Sequence, residues 1–233
     1  GDNHTCALDS TGKAYCWGYN GDGQLGRASN NTTNSSVPVA VKTSGVLSGK
    51  TVTAIAAGDN HTCALDSTGK AYCWGYNGYG QLGNNSTTSS TVPVAVNTSG
   101  VLSGKVLTNI SVGYAYTCVL DSDGKAYCWG LNEFGRLGDN TATQRNTPVA
   151  VYDAGVLSGK TLVAVSAGDA HGCVIDSNGE IYCWGNNYNG QLGNSSNTNS
   201  YPPVNLKEAD SAVSAGYSHT CAIDSNAKAY CWG

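Results

Sequence analysis

Apolar and polar positions alternate along this chain in short bursts, with no stretch at helical spacing. Val52-Thr53-Ala54-Ile55-Ala56-Ala57 is one such burst, and a Cys-containing pair of bursts follows at 61–66 and 71–75. A glycine-rich loop (76–83) and an Asn/Ser/Thr tract (84–91) come next, and a Val-rich run after Pro93 closes the unit. Runs this short, bounded by Gly, Asn, Asp and Ser, predict strands joined by turns. Four strands per unit with no helix between them predict an all-β chain, a β-propeller of four-stranded antiparallel blades.

The unit recurs. Residues 1–18 read GDNHTCALDSTGKAYCWG, residues 58–75 are identical, and 113–130, 168–185 and 216–233 are close variants. The leading cysteines Cys6, Cys63, Cys118, Cys173 and Cys221 are spaced 57, 55, 55 and 48 residues apart, a blade-sized period. The periods run 1–57, 58–112, 113–167 and 168–215, with a partial fifth at 216–233. Four full periods and one extra hairpin are expected to be a stretch of a longer propeller. That stretch would carry two open blade edges that invite self-association with another chain.

Within the hairpin, Asp9-Ser10-Thr11-Gly12-Lys13 has the residues of a type I turn followed by a left-handed glycine. Pairing Asp9 with Lys13 sets Leu8 opposite Ala14, Ala7 opposite Tyr15 and Cys6 opposite Cys16, at a non-hydrogen-bonded pair where side chains approach closely. The same spacing predicts Cys63–Cys73, Cys118–Cys128, Cys173–Cys183 and Cys221–Cys231, and uses all 10 cysteines. Reduced core thiols and a zinc site are the alternatives; zinc sites usually show CxxC-type spacing with His. Five disulfides place the chain in an oxidising compartment, secreted or at the cell surface.

Composition narrows the function. Charged residues are 12 % of the chain, Gly supplies 31 positions, Met none and Phe one, which suits strands and tight turns rather than a helical enzyme. A net charge of −4 and no basic stripe argue against a nucleic-acid partner. No apolar run approaches a membrane span.

The string GxxHTCALDSxGKAYCWG, followed by GQLG, resembles the signature of the regulator of chromosome condensation (alpha-tubulin suppressor-like) repeat family over essentially the whole chain. The doubled Cys and the SGVLSGKT connector look like its secreted bacterial branch. The resemblance implies a seven-bladed ring, of which about four to five blades are present here. The fourth period departs from it, reading Leu206-Lys207-Glu208-Ala209-Asp210 in place of the connector. Members of the family exchange nucleotide on a small GTPase, inhibit β-lactamases or sense ultraviolet light through Trp clusters, so the fold does not give the function.

Candidate chemistry is spread one residue per repeat. His4, His61, His171 and His219 share a position that holds Tyr116 in the third repeat, and a structural hydrogen bond to backbone is expected of them. Trp17, Trp74, Trp129, Trp184 and Trp232 read as blade-to-blade packing. Asp121-Ser122-Asp123-Gly124 begins like a calcium loop but lacks the rest of that pattern, and the glycine-rich loop lacks a Walker lysine. No metal, no cofactor and no catalytic set is expected; the chain does not read as an enzyme. Asn31, Asn34, Asn85 and Asn194 lie in sequons, as glycan acceptors or simply as solvated loop residues.

Positions that vary between repeats are free to bind. In the glycine-rich loop Asp22 becomes Tyr79, Phe134 and Asn189; Gly21 becomes Glu133 and Tyr188; Gln24 becomes Arg136. Before the hairpin, Asp2, Asp59 and Asp169 alternate with Tyr114 and Tyr217. Tyr and Arg are enriched in interface hot spots, so the variable rim Asp22, Tyr79, Tyr114, Glu133, Phe134, Arg136, Tyr188 and Tyr217 is the candidate binding face. Neutral drift in exposed loops is the alternative. The expected function is an extracellular protein-binding module, its partner a protein or a glycan. A structural spacer or surface-fibre subunit and a guanine-nucleotide exchange factor are the other readings.

Overall fold

The structure, a computed structural model, describes residues 1–233, with the side chains of 207–210 outside the description. The departure from the connector at Leu206–Asp210 therefore lies largely outside the described side chains.

Strands β1 (His4–Leu8), β2 (Ala14–Gly18) and β3 (Ser35–Ala40) form a three-stranded antiparallel sheet. Two complete blades follow: β4 (Val52–Ala57), β5 (His61–Asp66), β6 (Ala71–Gly75), β7 (Ser90–Ala95), then β8 (Leu107–Val112), β9 (Tyr116–Asp121), β10 (Ala126–Gly130), β11 (Arg145–Ala150). The last sheet has six strands: β12 (Leu162–Ala167), β13 (His171–Asp176), β14 (Glu180–Gly185), β15 (Ser200–Ala215), β16 (Thr220–Asp224) and β17 (Ala229–Trp232). Its 16-residue β15 is the outer strand of one blade and the inner strand of the next. Two blades share one strand because the SGVLSGKT connector that separates the others is absent. No helix among the described residues is long and apolar enough to cross a membrane.

The hairpin register is the expected one. Cys6 faces Cys16, Ala7 faces Tyr15 and Leu8 faces Ala14. All five pairs are disulfides, each with Cα atoms 4.1 Å apart, the spacing of a non-hydrogen-bonded pair. The turn closes through the Asp9 amide to the Lys13 carbonyl at 3.0 Å, with Gly12 at φ 79°. Asp9 Oδ1 accepts from the amides of Thr11 and Lys13 at 2.8 and 3.0 Å. Asp9 Oδ2 also takes the Tyr15 hydroxyl at 3.2 Å, and in the next three repeats the aspartate is buried and does the same, as in Tyr72 to Asp66 Oδ2 at 2.9 Å. The connector lysines close this cluster: Lys50, Lys105 and Lys160 reach Asp66, Asp121 and Asp176 at 3.4, 3.2 and 3.1 Å. Pro93 sits inside β7, not before it, and β7 is the outermost strand, where a residue without an N–H breaks no ladder.

Blades pack face to face. Trp129 is fully buried against Cys63, Leu65, Cys73 and Leu82 of the preceding blade. Burying roughly 200 Å² of indole at about 25 cal/mol per Å² contributes about 5 kcal/mol. The inner strands β4, β8, β12 and β15 lie side by side around the axis. Ser111 Oγ accepts the Ala167 amide, and Ser166 Oγ the Ala215 amide, each at 2.9 Å.

Candidate functional site

Strand direction decides which loops meet. The inner strand of each blade ends where the hairpin turn begins (58–60 in the second repeat), and β6 returns to that same end. The Tyr76 amide bonds the Asn60 carbonyl at 2.9 Å, so the glycine-rich loop leaves beside the turn. The Asp-Gly turns and the connectors occupy the opposite end.

Each glycine-rich loop is folded around one buried asparagine: Asn20, Asn77, Asn132 or Asn187. Asn77 Nδ2 donates to the carbonyls of Ser86 and Thr88 at 3.0 Å each, and its Oδ1 accepts the Leu82 amide at 2.9 Å. One side chain thereby ties the polar tract to the loop. The sequon asparagines join this net. Asn31 Oδ1 accepts from Arg27 Nε and the Thr33 amide, Asn34 Oδ1 from the Asn20 amide, and Asn194 Oδ1 from Asn187 Nδ2. Asn85 is exposed at φ 61°.

The turns converge on the axis. A cavity of about 190 Å³ is lined by Asp2, Asp59, Tyr114, Asp169, Tyr217 and the glycines beside them. Burial, then the neighbouring Asp2, pushes the Asp59 carboxyl up; burial raises Asp169 although Arg136 opposes it. Asp22 is raised by burial and lies within electrostatic reach of Asp59. The Tyr114 hydroxyl is raised by burial and by Asp59, Tyr79 and Asp169. Asp22, Tyr79, Tyr114 and Tyr217 thus belong to one axial face. Tyr79, Tyr114, Tyr188 and Tyr217 are exposed, as is Glu133. Phe134 is half-buried and stacks edge-on to Tyr188 at 5.7 Å.

Arg136 corrects the expected rim, because it is only 3 % exposed. Its Nε donates to the Glu133 carbonyl at 3.0 Å and its Nη1 to the Asp169 carbonyl at 3.1 Å, with the rings of Tyr116 and Phe134 about 6 Å from the guanidinium carbon. The slot points inward in every repeat. Gln24 and Gln81 are also buried, and their Oε1 atoms cap the amides of Asp22 and Tyr79 at 3.0 Å.

The histidines also differ from expectation, since their partner is a side chain of the next blade. His4, His61 and His171 meet Thr62, Thr117 and Thr220 Oγ1 at 2.7, 2.9 and 2.8 Å. Each threonine donates onward to the carbonyl of Gln24, Gln81 or Gln191, which also accepts the indole N–H of Trp74, Trp129 or Trp232. The histidine therefore donates from Nε2. Burial pushes His61 down to about 3, which keeps it neutral. The joint between the third and fourth repeats is built otherwise. Tyr116 replaces the histidine, Gly172 the threonine and Arg136 the glutamine. Tyr116 donates directly to the His171 carbonyl, and Trp184 to the Arg136 carbonyl at 2.9 Å. Among the described residues no group of three or more His, Cys, Asp or Glu could hold a metal.

A family model described as the RCC1-like domain matches residues 1–233. The ultraviolet-B receptor UVR8 of Arabidopsis thaliana is 30 % identical over 210 residues, 90 % of this chain and 45 % of the receptor. The E3 ubiquitin-protein ligase HERC2 of Homo sapiens is 32 % identical over 206 residues, 88 % of this chain and 4 % of the ligase. The chain thus spans less than half the length of these relatives. Prp20p of Saccharomyces cerevisiae superposes with a TM-score of 0.83 at 23 % identity, covering 100 % of this chain and 56 % of Prp20p. Human WBSCR16 does so at 0.82 and 23 %, covering 94 % and 55 %.

Proposed function

We propose that this chain, which belongs to the RCC1-like domain family, is a non-catalytic binding module whose axial loop face contacts a protein partner. One observation carries this. The blades share one frame of disulfides, tryptophans and loop asparagines, while the exposed aromatic residues Tyr79, Tyr114, Tyr188 and Tyr217 differ from repeat to repeat on a single face. Large exposed aromatics gathered on one face suit an interface. The family itself is a scaffold: a photoreceptor and a ubiquitin ligase both carry the fold. Prp20p, which shares the architecture, has been studied for its binding to Gsp1p and histones. Five disulfides favour secretion or surface display, where that oxidation state persists.

The test uses a partner recovered with the intact chain. Tyr79→Ala with Tyr114→Ala is expected to weaken it by about tenfold or more. Val46→Ser with Val101→Ser, at the opposite end, is expected to leave affinity unchanged. The reverse pattern would move the contact to the connector end.

A further inference from the structure

At the joint between the third and fourth repeats, the chain's departures from its own pattern come together. Arg136 lies beneath the surface, its guanidinium close to the Tyr116 and Phe134 rings, and fastens the backbones of Glu133 and Asp169. Above it Phe134 is held at φ 63°, a left-handed conformation that its counterparts Asp22, Tyr79 and Asn189 do not adopt. Such a conformation in a bulky residue persists only where its surroundings impose it. The result is a fixed edge-to-face pair with Tyr188, which is 62 % exposed. Tyr114 stands beside it, within electrostatic reach of Arg136 and Asp169.

Charge selects the occupant of this aromatic patch. Glu133, exposed beside Phe134, has its carboxylate 3.8 Å from Arg136, and Asp59 and Asp169 lie within electrostatic reach of Tyr114. Two arginines of this end are paired with carboxylates, Arg145 with Asp139 at 3.0 Å and the buried Arg136 with Glu133 at 3.8 Å, while Arg27 is hydrogen-bonded to Asn31. The lysines of the turns (Lys13, Lys70, Lys125, Lys228) and connectors (Lys50, Lys105, Lys160) occupy the far end, and Lys42 reaches Ser29 of the first polar tract. An acidic surface with exposed aromatic faces fits Lys and Arg side chains, which gain both ion pairing and cation–π contact.

Resting on the axial-face reading, we propose that this joint is the docking centre for a Lys/Arg-rich segment of a partner protein. Phe134 and Tyr188 are its contact residues and Arg136 is the positioning residue that holds them.

The experiment pans a phage-displayed random 12-residue peptide library on the intact, oxidised chain. Synthetic copies of the enriched peptides are then titrated by fluorescence anisotropy. Enriched peptides are expected to be net basic and to weaken with added salt. They should lose about tenfold or more in affinity on Phe134→Ala with Tyr188→Ala. The second variant is Tyr116→His, Arg136→Gln and Gly172→Thr together, which rebuilds the joint that other repeats already use and so keeps the fold, as a thermal melt would verify. It is expected to bind more weakly although Phe134 and Tyr188 remain. No enrichment, neutral or acidic peptides, or full affinity for either variant would overturn the proposal. Basic peptides that ignore both variants but are lost on Tyr79→Ala with Tyr114→Ala would overturn the joint while leaving the axial face in place.

Discussion

Tyr116 and His171 belong to consecutive blades, and the hydroxyl of the first donates to the backbone carbonyl of the second across 2.5 Å. The residue after His171 is Gly172. A Cβ there would stand 2.9 Å from the Trp184 ring, whose indole already bonds the Arg136 carbonyl. Gly172→Thr alone is expected to destabilise the chain by about 1–3 kcal/mol through overpacking. Adding Tyr116→His should recover much of that loss. A double-mutant cycle in urea measures it; additive effects would contradict the coupling.

Acid should weaken the blade joints before it weakens the turns. His61 has its pKa lowered by burial, and then by nearby His4, to about 3 from 6.5. Between those values the unfolded chain takes up a proton that the folded chain refuses. Stability is therefore complete above pH 6.5 and falls as pH drops towards 3, by about 2.7 kcal/mol at pH 4.5 for this one residue. His61→Gln keeps a donor and should flatten the slope across that window. Asp66 is pushed up by burial, but hydrogen bonds led by the Thr68 hydroxyl outweigh it and bring it down to about 2, so its loss begins only below about pH 4. Chemical denaturation at half-unit pH steps separates the two.

Asn77→Ala removes the donor to Ser86 and Thr88 and the acceptor of the Leu82 amide in one step. A cost of about 2–4 kcal/mol is expected, with amide exchange accelerated across 82–88. Asn85→Ala, at an exposed position in the same tract, should cost far less. Equal costs would show that the tract is not fastened from Asn77.

Four hairpin turns place glycine at the left-handed position, and the fifth places Ala227 there at φ 62°. The residue is exposed, so no packing opposes a change. Ala227→Gly is expected to stabilise by about 0.5–1 kcal/mol. Gly69→Ala should do the opposite, because its Cβ would also approach Val106 at 2.6 Å. Thermal melts of the two variants should move in opposite directions.

Non-reducing peptide mapping should recover Cys6 with Cys16 and the same link in each later repeat. Each bridge closes a short loop, and breaking one should cost about 2–3 kcal/mol. A link between different repeats would contradict the register.

The features legible in the sequence were those whose partners lie close along the chain. Cys6 and Cys16 are joined by one turn, so counting outward from Asp9 and Lys13 was sufficient. What stayed hidden was set across the repeat. Thr62 lies 58 residues from His4, and no local pattern announces that the two share a proton. The inward seat of Arg136 was masked by its glycine-rich surroundings, which read as an exposed loop. Its unvaried counterparts Gln24, Gln81 and Gln191 were the available signal, since an exposed slot has little reason to keep one amide. Asn77 was missed for a related reason: a search for variation passes over the residue that does not vary.

Residues 1–18 and 58–75 are the same hairpin written twice, and such twins can trade places while the chain folds. The odd joint limits the exchange. The hairpin bearing Gly172 brings no hydroxyl and leaves a buried histidine nitrogen bare when pressed against His4 or His61, while Tyr116 bonds a backbone carbonyl and uses no threonine. Tyr116 and Gly172 therefore act as a key and keyway, giving a nearly periodic polymer one address from which the order of its blades can be counted.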